Sequence, residues 1–240
     1  MALPGTAETG AAEEGFRIDS TALPAEQAGI SRLAPQPLDA EETFALLFRF
    51  RLLAETHQRA ERAGFSVIVL TRDRRGVELG FQAQSVFAQA DEPLFTRGEE
   101  AQLDLLDRSV AACLAIAPTG YRLFLDGELA LEGPLRDYTA FQGLIDPYET
   151  PNFIFFGDDT RSAAADVVLG RIAIARPPKL RLEPDGALAW SGLPETPYRV
   201  EASEDLKSWR LEAAVSSPDG NCRFLPAPEG SRRFYRVAVR

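Results

Sequence analysis

Histidine, cysteine and methionine are nearly absent, at one, two and one residues in 240. With His57 as the sole imidazole, and that in a polar loop, neither a multi-histidine metal site nor a histidine-based triad with its supporting network is easily assembled. Cys113 and Cys222 fall in separate predicted domains, so no disulfide between them is expected and the redox compartment stays unread. No run approaches the roughly 20 apolar residues that a membrane helix requires. Basic residues are outnumbered, 26 against 36 acidic, for a formal charge of −10. That balance argues against nucleic acid or an anionic membrane as partner. Neither a phosphate loop nor a nucleophile elbow occurs. Met1–Gly15 has no basic or apolar region of the kind an export signal carries.

What the chain has is strand periodicity. Phe44, Leu46, Phe48, Phe50 and Leu52 alternate with a second set of residues at period two, the pattern of a long strand. Shorter β-rich runs follow at Phe65–Leu70, Gly76–Phe81, Ser85–Gln89, Ser109–Ala117, Tyr121–Leu125, Phe153–Phe156 and Val167–Ala175. Asp126-Gly127 before Glu128–Leu131 is a hairpin signal, because a type I′ turn needs positive φ at both central residues. Residues 1–15 lack periodicity and read as a disordered lead. Leu23–Asp39 and Glu55–Arg62 read as loops, and Arg72–Gly76 as a charged hairpin turn. No long amphipathic helix is present, so the fold class is all-β and the architecture a sandwich over residues 16–176.

Pro177-Pro178 marks a linker, since neither residue can donate to a sheet ladder. Six short strands follow in residues 177–240, separated by Gly186, Gly192-Leu-Pro194, Asp219-Gly220 and Gly230. The acidity belongs to the first domain. Residues 177–240 hold 10 basic and 9 acidic residues, leaving 16 and 27 in residues 1–176.

Taken in order, Gly64–Leu70, Arg75–Phe81, Tyr121–Gly127, Gly133–Tyr138, Pro151–Thr160 and Val168–Ala173 resemble the laminin-G/concanavalin-A-like jelly roll of bacterial secreted or surface-anchored proteins. Leu188-Ala-Trp190, Tyr198–Ser203, Asp205–Trp209 and Arg233–Val237 resemble a short fibronectin-III-like module. The resemblance implies a non-catalytic binding or adhesion module, secreted or at the cell surface with its signal removed. Its partner would be a glycan or a surface protein. A structural spacer and a polysaccharide-active enzyme on the same fold are the alternatives.

Enzymes of this fold class carry alternating carboxylates on one strand. Here Glu78 stands alone on its strand, Glu128 and Glu132 flank a hairpin, and Glu201 and Glu204 straddle a turn. Such isolated acids are expected on the solvated surface. Laminin-G-like domains hold Ca²⁺ at the sandwich rim, and this hard cation wants six to eight oxygens. The resemblance therefore nominates Asp158 and Asp159, with Asp126, Asp137 or Asp166 as further donors. Both can reach one ion only if the strand has already turned, because neighbouring residues face opposite ways. Aromatic platforms for sugar are Phe81 beside Gln82, Tyr121, Tyr138 beside Arg136 and Asp137, and Tyr148. Ser203–Trp209 half-matches the Asp-box of sialidase propellers and reads as a turn capped by Asp205, with Trp209 on the core.

Overall fold

The computed structural model describes residues 8–12, 15–22, 27–143, 146–176, 180–191, 197–227 and 233–239. The chain divides into two compact units, Met1–Ile174 and Ala175–Arg240. The Pro177-Pro178 linker, Gly192-Leu-Pro194 and Gly230 lie outside the described residues.

The first unit runs β1 Glu8–Ala12, β2 Gly15–Asp19, β3 Ala28–Leu33, β4 Phe44–His57, β5 Phe65–Leu70, β6 Gly76–Gln82 and β7 Ser85–Asp91. It continues with β8 Leu94–Gln102, β9 Ser109–Ala117, β10 Gly120–Leu125, β11 Glu128–Gly133, β12 Phe153–Asp158 and β13 Ala163–Ala175. One sheet is ordered β1-β2-β13-β4-β9-β10-β11 and the other β3-β12-β5-β6-β7-β8. Early strands pair with late ones in a nest: β2 with β13, β3 with β12 and β4 with β9, all antiparallel. Nested pairing across two sheets is a jelly roll.

Period-two alternation drives the packing. Phe44, Leu46, Phe48, Phe50 and Leu52 on β4 are buried, while their neighbours reach the other face. Phe48 and Phe50 meet the opposite sheet, with ring centroids 5.2 Å from Phe156 and 5.0 Å from Phe81 respectively. These edge-on contacts add specificity to the area each ring removes from water. The Asp126-Gly127 turn joins β10 to β11 with φ of 51° and 90°, the positive pair that its type requires.

Three differences from the sequence reading share one cause. β1 lies within the expected disordered lead and β3 within the expected Leu23–Asp39 loop, while β8 stands where no strand was expected. β1 and β8 end their sheets and β3 ends the other side of the second, so each is an edge strand. Edge strands are held by backbone ladders and need no apolar alternation. In addition, β4 extends three residues into the predicted Glu55–Arg62 loop.

The second unit contains β14 Arg181–Leu182, β15 Leu188–Ser191, β16 Tyr198–Ser203, β17 Arg210–Val215, β18 Asn221–Phe224 and β19 Phe234–Val239. They form two three-stranded sheets, β14-β15-β18 and β17-β16-β19. Trp190, Tyr198, Val200 and Cys222 make its core. No helix among the described residues is long and apolar enough to cross a membrane.

Phe81 is wholly buried at the centre of the aromatic contacts. Phe81→Ala should therefore cost about 3–5 kcal/mol, read as a lowered denaturant midpoint. Leu129→Ala, at a half-exposed position on β11, should stay within about 0.5 kcal/mol.

Candidate functional site

The central strands of sheet β3-β12-β5-β6-β7-β8 are covered on both faces. Every residue of β5 and β6 is buried, as are the first five of β7. Inward-facing Val67, Leu79 and Val86 join the main core. On the outer face Ile68, Leu70 and Phe155 form a second cluster with Tyr138 and Tyr148, flanked by Phe95, Phe141 and Phe153. Alternation on β6 then sends Glu78 and Gln82 into this covered outer layer, where each needs a partner.

Glu78 is 1% exposed. Its amide donates to the Tyr138 hydroxyl at 3.2 Å, that hydroxyl donates to the Gln89 carbonyl at 2.7 Å, and Tyr148 donates to the Glu78 carboxyl. Burial pushes the Glu78 pKa well up and the nearby Asp159 carboxylate adds to the rise, against the opposing hydrogen bond from Tyr148. Burial thus favours the protonated form of Glu78, and Asp159 beside it also meets the Ser66 hydroxyl and the Arg62 charge.

Beside this pair, polar side chains fasten a loop to the sheet. Gln82 Nε2 donates to the carbonyls of Ala60 and Arg62 at 3.0 and 2.7 Å, and Gln89 Nε2 to that of Glu61 at 2.8 Å. Arg97 Nε donates to the Ala60 carbonyl at 2.7 Å, and its guanidinium lies 4.3 Å from the Phe87 ring centre. Gln82 Oε1 accepts from Arg97 and Ser85 at 2.6 and 3.0 Å. Arg62 sits 5.0 Å over the Phe95 ring. A third cluster joins the two sheets, where Glu99 accepts from Arg136 at 2.7 and 2.8 Å and from the Tyr121 hydroxyl at 2.7 Å. Burial alone would raise the Glu99 pKa, but the hydrogen bonds from Arg136 and Tyr121 outweigh it and hold the carboxylate below its usual range.

Several expected residues stand elsewhere in function. Asp158 is the last residue of β12 and wholly buried; it faces Ser20 and accepts from the Thr160 amide at 3.0 Å. Asp159 faces Glu78 and Ser66 instead. The two carboxylates thus take different hydrogen-bond partners. Asp126 is engaged by the Ala111 amide and Arg108, Asp137 by Thr139 and Asp166 by Arg17. Among the described residues no three acidic, histidine or cysteine side chains converge on a metal position. Phe81, Tyr121, Tyr138 and Tyr148 are at most 3% exposed, so none is a sugar platform. Glu78 and Glu201, expected on the surface, are buried; Glu201 is paired with Arg199 and Arg236 at 2.8 and 2.7 Å. His57 is exposed at the end of β4, 3.1 Å from Glu55.

No family model and no curated protein matches the chain. Solved structures overlap 58–70% of the chain. The carbohydrate-binding module CBM66 from Bacillus subtilis matches at 11% identity, TM-score 0.43, covering 70% of this chain and 91% of its own. The Emp46p carbohydrate recognition domain, in a metal-free form, matches at 10% identity and TM-score 0.43, covering 70% and 85%. The alginate lyase A1-II′ matches at 9% identity and TM-score 0.43, covering 67% and 78%. Overlaps this loose assign no ligand and no activity to the chain.

Burial raises the Asp158 pKa to about 8, whereas in the unfolded chain it is about 3.9. The folded state then binds the extra proton between those limits, so stability falls as pH rises from about 4 to 8 and levels off above. Asp158→Asn should flatten that part of a stability–pH curve measured by urea denaturation; an unchanged slope would assign it to other groups.

Proposed function

We propose that the first unit is a non-catalytic recognition module that binds a glycan through hydrogen bonds and charge, in a secreted or surface-displayed setting. The observation that supports this reading is the fastened loop. Thr56–Ala60 are exposed, while the carbonyls of Ala60, Glu61 and Arg62 are tied to Gln82, Gln89 and Arg97. The Gln58 amide donates to the Ser162 carbonyl at 2.8 Å. His57, Gln58 and Arg59 are thus presented on a backbone whose ordering is complete before a partner arrives, which lowers the entropy lost on binding.

The acid pair supports the non-catalytic half of the reading. A general acid must reach the atom it protonates, and Glu78 lies sealed under Tyr138 and Tyr148. The order β14-β15-β18 and β17-β16-β19 supports a fibronectin-III-like reading of residues 177–240.

A glycan array tests the proposal. Gln58→Ala with Arg59→Ala should remove the signal for at least one class of sugar that the wild type binds, while stability changes by no more than about 0.5 kcal/mol. Silence of the wild type across diverse sugars would favour the spacer, capture of a protein would change the partner class, and release of reducing ends would restore the enzyme reading.

A further inference from the structure

The half-matched motif Ser203–Trp209 builds a second feature, on the other unit. Asp205 Oδ1 accepts from the Ser203 hydroxyl at 3.0 Å and from the amides of Lys207 and Ser208 at 2.8 Å each. Asp205 Oδ2 accepts only the long 3.3 Å bond from the Ser208 hydroxyl, so this oxygen keeps lone-pair capacity. Leu206 completes the turn at φ 61°. The turn forms one wall of a groove of about 430 Å³, in which Glu204, Asp205, Ser208, Trp209, Arg210 and Arg233 take part.

Trp209 is only half-buried and does not complete the core, contrary to the sequence reading. The Arg236 guanidinium lies 4.3 Å from its ring centre. Arg236 does not line the groove, so the indole meets the groove along another part of its surface. The remaining walls mix both polarities. Glu204 and Asp205 are exposed acceptors, while Arg210 and Arg233 are donors held 2.9 and 3.7 Å from Glu212. A strongly charged ligand of either sign would meet a like charge here. A neutral polyhydroxyl ligand meets partners on every wall, because each hydroxyl both donates and accepts. An indole beside these groups offers the apolar contact that a sugar ring's C–H face needs. The volume lies within the range of small-ligand sites.

We infer that this groove is a second binding site, independent of the first unit's loop, and that its ligand is a neutral oligosaccharide held against Trp209 with Glu204 and Asp205 as acceptors.

The chain has two tryptophans, and Trp190 is 1% exposed in the core. Both emit, but a ligand bound in the groove meets only Trp209, so a ligand-induced change in intrinsic fluorescence reports on Trp209. Titration with neutral hexaoses of the gluco-, xylo-, manno- and chito- series should give a saturable change with at least one. Glu204→Ala should weaken that response about tenfold, the worth of a hydrogen bond to a charged group. Trp209→Phe should abolish the fluorescence change yet retain binding by calorimetry. Gln58→Ala with Arg59→Ala should leave the response intact, which separates this site from the first unit's loop. No saturable response to any of the four series, an unaltered response in Glu204→Ala, or a saturable response only to a heparin fragment or an oligolysine would overturn the inference.

Discussion

The first unit depends on a sheet buried on both faces. β5, β6 and the start of β7 have no solvent side. Alternation therefore cannot sort their residues into core and surface, and every outward polar group must find a partner in the layer above. Leaving one unpaired costs about 1–3 kcal/mol. Glu78 and Gln82 meet that demand with tyrosine hydroxyls and loop carbonyls, and Gln89 in part, its Nε2 on the Glu61 carbonyl and its Oε1 buried without a partner.

Much of the unit's chemistry follows from this layer. The Glu78–Asp159 pair has the composition of an acid–base couple, but Glu78 itself is buried beneath Tyr138 and Tyr148. The same burial that raises its proton affinity removes it from use. The glutamines act in the opposite direction, transmitting the rigidity of the sheet to an exposed turn.

The central strands were legible from residues alone: β4 by its five alternating apolar positions, the β10–β11 hairpin by Asp126-Gly127, and the six short strands of the second unit by the turn residues between them. Edge strands β1, β3 and β8 were not, because ladder hydrogen bonds leave no side-chain period. The site was harder still. Glu78 lies between inward Val77 and Leu79, and at period two that position reads as solvent-facing. Nothing local shows that residues 60 and 70 positions onward, Tyr138 and Tyr148, cover it. Trp209 was assigned to the core, yet it lines a groove.

The account's central claim is that buried glutamines hold the loop to the sheet, and hydrogen exchange on Gln82→Ala with Gln89→Ala tests it most directly. Amides of residues 58–63 should exchange at least about tenfold faster than in the wild type, since loss of each bond to the loop favours local opening, while β5 and β9 keep their protection. Equal loop exchange in both proteins would contradict the claim.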